Sequence, residues 1–179
     1  PMTRLPDPLQ STEFTYTRFL VPWLMNYEGR ALFIDCDVLV NCDIKELFDE
    51  IEGNRAVSVV QHDYTPATAT KFLNQVNSPY PRKNWSSVML FNCSHPDCLK
   101  LTPDVVNYET GRYLHRFEWT DLIGSLDPTY NHLIGEYEDK PAKIYHYTLG
   151  TPCFRMSKDC DRSLEWRKAH REMNDCVDF

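Results

Sequence analysis

No apolar run in this sequence approaches the roughly 20 residues that a membrane-spanning helix requires. Pro1 to Gln10 contains no apolar core of the kind a secretory leader carries. A transmembrane segment is therefore not expected. Positive charge is also scarce: 19 Lys plus Arg stand against 26 Asp plus Glu, a net charge of −7, and the cations form no dense run. A nucleic-acid binder needs a basic face to meet the phosphate backbone, so that class is excluded. The seven cysteines are odd in number and include no C-x-x-C pair. A chain of 179 residues has core enough without staples, so they read as reduced thiols of a cytoplasmic protein. Two sequons, Asn84-Trp85-Ser86 and Asn92-Cys93-Ser94, keep a secretory location open but are expected to be chance matches.

What is present is the material of one globular domain, with 42% hydrophobic and 13% aromatic residues. "STEFTYTRFLVPWLMNY", residues 11 to 27, opens on Ser/Thr cap candidates and repeats apolar residues at helical intervals, with Pro22 placed to divide it. Arg30 to Ile34 is a short apolar strand of the buried, parallel type. A helical turn at 44–50 and a strand at 56–61 follow. Residues 66–77 form a loop with a short helix, and 86–93 is a third strand. Helices are expected at 98–107, interrupted by Pro103, and at 109–117. A strand at 143–147 and a polar helix at 163–174 complete the chain, with 155–179 as a C-terminal helical tail. Alternating strands and helices predict an α/β fold with a mainly parallel sheet, whose ligands sit beyond the carboxyl ends of the strands.

The stretch "ALFIDCDVLV", residues 31 to 40, places Asp35 and Asp37 in the middle of an apolar run. On a strand, side chains two apart share a side, so the two carboxylates converge while Cys36 faces away. Carboxylates that close repel each other unless a proton or a cation lies between them. Hard oxygen ligands suit magnesium or manganese, which commonly keep one or two carboxylates and take further oxygens from substrate phosphates. His146 follows Ile144 at strand spacing, and an imidazole added to two carboxylates favours a manganese-like ion over calcium. The competing reading ends the strand at Ile34 and leaves both aspartates solvated in a loop. His62, His95, His115, His132 and His170 have no comparable setting.

Beyond these residues, "STEFTYTRFLVPWL" followed by "ALFIDCDVLVNCDI" resembles the family 8 nucleotide-sugar glycosyltransferases and their bacterial and phage relatives. "NWSSVMLFNC" looks like that family's donor-sugar loop and strand. "LDPTYNHLIGEY" is similar to its Leu-Pro-x-x-Trp-Asn segment, and "KIYHYTLGTPCF" to its late His-x-x-x-Gly metal motif. The resemblance implies a GT-A, Rossmann-like sheet that binds a UDP-sugar and Mn2+ or Mg2+ and transfers the sugar to a glycan, lipid or protein acceptor with retained configuration. By position, Asp35, Asp37 and His146 would hold the metal, with Asp35 also near the donor. Arg18 would reach the donor sugar or the first aspartate, Ser86 and Ser87 would approach the sugar, and Glu118 or Asp121 would supply the sugar-binding acid. The sequence departs from the family at Trp85 and Ser87, in the acidic segment, which lacks a Gln, and at Thr151-Pro152-Cys153, which lacks a phosphate-binding Lys. The family's aspartate pair also follows an N-terminal uridine-binding strand, whereas here it arrives at residue 35. One shortened domain spanning 1–179, cytoplasmic or at the membrane periphery, is the expectation.

Three other readings compete. "LFIDCDVLV" also fits a phosphohydrolase of the haloacid dehalogenase type, with Asp35 as nucleophile and Asp37 as general acid, although no Gly-Thr and no later acidic doublet follow. A carbohydrate- or partner-binding module would use Trp85, Trp119 and Tyr130. A folded but inactive remnant of the transferase is the third.

Overall fold

The computed structural model describes residues 3–5, 14–50, 53–66 and 79–175. Their backbone gathers into two compact units, one within Pro1–Ile34, Asp43–Asp63 and Tyr80–Pro128, the other within Asp35–Cys42, Tyr64–Pro79 and Thr129–Phe179.

The first unit is built on a four-stranded sheet. Its strands are β1 (Arg30–Ile34), β3 (Val57–Val59), β4 (Val88–Asn92) and β5 (Ile123–Ser125), in the order β1-β4-β3-β5. Strand β4 runs antiparallel to both β1 and β3, while β3 and β5 are parallel. Three strands therefore point one way and β4 reverses between them. The α/β class holds, but the expected mainly parallel ladder is corrected: in this sheet two of the three pairings are antiparallel. Apolar content carries no information about the direction of a strand's neighbour, and β1, expected to be buried, is only half-buried, with Arg30 exposed. Gly124 permits a close approach of β5 to β3, because a Cβ there would collide with the Ser58 side chain.

Helices flank this sheet. A 3-10 turn, Thr17–Leu20, leads into α1 (Val21–Leu24), and Pro22 sits in the first turn, where its missing N–H costs nothing. Asn26 and Tyr27 then adopt positive φ of 52° and 58° and stop the helix. Helix α2 spans Lys45–Asp49. Pro103 opens α3 (Pro103–Tyr108) rather than interrupting a longer helix, and Thr102 Oγ1 accepts from the Val105 amide at 3.2 Å. Thr110 caps α4 (Gly111–His115) in the same way, accepting from Tyr113 N at 3.0 Å. Arg4 closes the far end of α3, its Nη1 donating to the carbonyls of Val106, Asn107 and Glu109. Trp119, Phe91 and Phe117 are at the centre of the core, with Phe91 and Trp119 stacked at 6.4 Å. The Cys93 and Cys98 thiols lie inside it, and burial pushes them up to about 11 and about 12.

The second unit holds a three-stranded sheet, β2 (Val38–Val40), β6 (His132–Leu133) and β7 (Ile144–His146), in the order β2-β7-β6. Strand β7 is central, antiparallel to β2 and parallel to β6. Helix α5 (Ser163–Asp175) follows with an exposed polar face, and Trp166 on its inner side packs near Ile134, Tyr145 and Tyr147. The helix expected within 66–77 lies outside the described residues. Among the described residues, no helix is long and apolar enough to cross a membrane.

Candidate functional site

Strand β1 ends at Ile34, and Asp35-Cys36-Asp37 forms a turn before β2 begins at Val38. The expectation that one strand's pleat aligns the two aspartates is therefore corrected. The chain leaves one sheet and enters another within three residues, and a turn brings the carboxylates together instead. Cys36 is exposed, whereas Asp35 and Asp37 are half-buried.

Strand β7 completes the group. Val38 pairs with His146 across the β2–β7 ladder, and the Tyr147 amide donates to Asp37 O at 2.9 Å. That register sets the residue just before β2 beside the end of β7. One ligand atom from each of Asp35, Asp37 and His146 falls within 4.8 Å of the others. His146 Nε2 lies 3.3 Å from Asp37 Oδ1, and the ring is 2% exposed. On the opposite side of the ring, Nδ1 lies 2.9 Å from Asn131 Oδ1, an atom of a wholly buried side chain. Two carboxylates and an imidazole form a compact, mostly oxygen donor set. It fits a divalent cation of the magnesium or manganese kind, which would balance charges that otherwise repel. A second copy of this cluster is not present among the described residues.

The remaining expected site residues lie in the first unit. Arg18 is 8% exposed; its Nη1 donates to Ser86 O at 2.8 Å, and its guanidinium sits 4.8 Å from the Phe33 ring centre. Ser86 and Ser87 are buried in a 3-10 turn, Trp85–Ser87, that follows Asn84 at a φ of 60°. The structure thus brings Arg18 and Ser86 into direct contact. It also adds His115, whose Nδ1 lies 2.8 Å from Ser86 Oγ. Burial, reinforced by the nearby Arg18 guanidinium, holds the His115 imidazole down at about 3, so it is neutral at ordinary pH. Glu118 is exposed and paired with Arg112 Nε at 2.9 Å, and Asp121 is exposed beyond it.

Two residues that bear on these groups have no site role assigned from the sequence. Nothing in the setting of His115 along the chain distinguishes it, because its partner is 29 positions away. Asn131 had a signal, since it ends the "LDPTYN" segment. The aromatic binding surface is corrected: Trp119 and Tyr130 are 1% and 0% exposed, and the Trp85 indole donates to His62 O at 2.8 Å. These rings are anchored by packing and hydrogen bonding.

The family model for glycosyl transferase family 8 matches residues 2–110, a span that contains Arg18, Asp35, Asp37, Ser86 and Ser87. Protein CDI of Arabidopsis thaliana is 47% identical over 174 residues, covering 93% of this chain and 67% of that protein. Among solved structures, the glycosyltransferase GlyE of Streptococcus pneumoniae aligns with a TM-score of 0.59 at 18% identity, over 90% of this chain and 44% of GlyE. The bifunctional WbbM aligns at 0.57 and 17% identity, over 90% of this chain and 38% of WbbM. An active-site mutant of LgtC aligns at 0.53 and 16%, over 92% of this chain and 70% of LgtC. The chain spans less than half the length of GlyE and WbbM. At these identities the structural likeness establishes the fold, which is GT-A. With the family model matching residues 2–110 and a relative at 47% identity, the haloacid dehalogenase reading is set aside, and the chain belongs to glycosyltransferase family 8.

Proposed function

We propose that this chain carries a metal-dependent glycosyltransferase activity that moves a sugar from a nucleotide donor, a UDP-sugar, to a glycan, lipid or protein acceptor with retained configuration. The observation that carries the proposal is the Asp35–Asp37–His146 cluster, three ligand atoms within 4.8 Å of one another in a chain of this family. In this reading the three side chains hold Mn2+ or Mg2+. Bound there, the cation would neutralise the negative charge that develops on the leaving diphosphate.

The protein's own share is positioning. The β2–β7 register fixes Asp37 against His146 before any ligand arrives, so little reorganisation accompanies binding. Arg18, Ser86 and Ser87 are assigned to the donor sugar, with Asp35 shared between metal and donor, and Glu118 and Asp121 as the acidic contacts. The Arg18–Ser86 hydrogen bond and the Ser86–His115 contact support the first of these assignments, because they hold a buried polar turn in one shape. Residues 1–179 work as one domain with 155–179 as its tail, in the cytoplasm or at the membrane periphery.

The test is a thermal melt of this chain with Mn2+ and UDP, alone and together. Together they raise the melting temperature of the wild type, and Asp37→Ala removes the rise. Absence of any shift in the wild type overturns the proposal and favours an inactive remnant.

A further inference from the structure

Asn131 is wholly buried, and its Oδ1 lies 2.9 Å from His146 Nδ1. It ends the short 3-10 helix Pro128–Asn131, immediately before β6, and β6 runs parallel to β7 with Leu133 opposite His146. The Ile134 amide donates to His146 O at 2.9 Å, so the backbone that carries the imidazole is held by the strand that Asn131 introduces. One sheet therefore fixes both side chains.

A neutral imidazole has one N–H and one lone pair, and an amide oxygen only accepts. With that oxygen opposite Nδ1, the proton belongs on Nδ1, and the lone pair belongs on Nε2, 3.3 Å from Asp37 Oδ1. An imidazole lone pair facing a carboxylate oxygen is repulsive by itself. It becomes favourable when a cation accepts from both. We propose that Asn131 is a positioning residue that fixes His146 in the Nδ1–H form and so presents Nε2 as a ligand for a divalent cation. The proposal rests on the metal reading above and adds the residue that makes the histidine competent for it.

The opposite arrangement, with Nε2 protonated toward Asp37, would require the Asn131 amide to turn and donate from Nδ2 to Nδ1, and it would leave no lone pair on Nε2 for a cation. Outer partners of this type commonly contribute roughly 10–100-fold in metal affinity, because they set tautomer and ring orientation. Asn131→Asp keeps an acceptor of the same size. Asn131→Leu removes it at similar volume.

Two measurements on the full chain decide the matter. Long-range proton–nitrogen NMR of histidine-labelled protein, without metal and above the imidazole titration range, reads the tautomer of His146. Titration with Mn2+, followed by the paramagnetic signal of the free ion, reads affinity. The wild type and Asn131→Asp show the Nδ1–H tautomer and bind Mn2+ within a few-fold of each other. Asn131→Leu loses the tautomer preference and binds about 10–100-fold more weakly. A wild-type His146 in the Nε2–H form overturns the proposal, and this spectrum decides even if Asn131→Leu fails to fold. Tight Mn2+ binding that depends on Asp37 but not on Asn131 overturns the positioning role alone. Failure of the wild type to bind Mn2+ overturns the metal reading and the ligand role with it.

Discussion

Around the four-stranded sheet, Phe91, Trp119, Phe117, Met89 and Leu114 form a large apolar core, with Phe91 against Trp119 and Phe117 against both Phe19 and Trp119, and the buried polar residues Arg18, Ser86 and Ser87 are set apart from it in their own hydrogen-bonded group. Around the three-stranded sheet, Ile134, Tyr145 and Tyr147 form an apolar cluster, with Leu133 and Ile144 also buried, and the same interior holds Asn131, His132 and His146. The first unit is stabilised mainly by apolar area removed from water, with its buried polar groups held by hydrogen bonds such as Arg18 to Ser86 O. The second places polar groups where only a directed partner compensates their burial. The Asp35–Asp37–His146 group belongs to this second setting, whereas Arg18, Ser86 and His115 make a smaller polar group within the first. A polar group already desolvated and aimed needs no further ordering when the ligand arrives.

The largest expected effect separates the two. Phe91→Ala leaves a cavity against Trp119 and lowers stability in urea by about 3–5 kcal/mol, yet leaves the Mn2+-induced increment unchanged. If the increment disappears as well, the two interiors are not energetically separate. Next in size is the ligand term itself. Free Mn2+ at about 100 times its Kd adds about 2.7 kcal/mol in the wild type, and a chelator removes it and restores the metal-free urea midpoint. An unchanged midpoint would mean that Mn2+ does not bind the folded chain and would overturn the metal reading.

An effect smaller per pH unit belongs to the first unit and depends on acid. The folded His115 imidazole is held near 3, below the 6.5 of a free one, so the unfolded chain binds more protons in the interval between. Stability therefore rises with pH across that window and is lost as pH falls below 6.5 toward 3. The slope is at most about 1.4 kcal/mol per pH unit. His115→Gln, which keeps a polar partner for Ser86, flattens this part of the profile in urea melts at stepped pH. An unaltered profile would show that other groups carry the acid dependence.

Much of this was legible along the chain. Ala31 to Ile34 is an apolar run that ends in two aspartates, and β1 ends where the run does. Val88 to Asn92 reads as a strand for the same reason, and the helix expected at 163–174 is observed at Ser163–Asp175. Strands β2, β5 and β6 were not legible. They have only three, three and two residues, too few to establish a period, and their identity rests on partners far away in sequence. Val38 to Val40 becomes a strand because Ile144 to His146 lies beside it. Strand direction was hidden for the same reason.

By itself, the sequence determined which residue types could meet a divalent cation, where the apolar strands run, and the family to which their order points. Only the tertiary structure decided how those residues meet. A turn, not a pleat, joins Asp35 to Asp37, and an antiparallel ladder across more than a hundred residues brings in His146. Asn131 holds the far side of that imidazole, and His115 holds Ser86. Each of these is a contact between distant positions, and such contacts are set by backbone register and packing rather than by local residue preference.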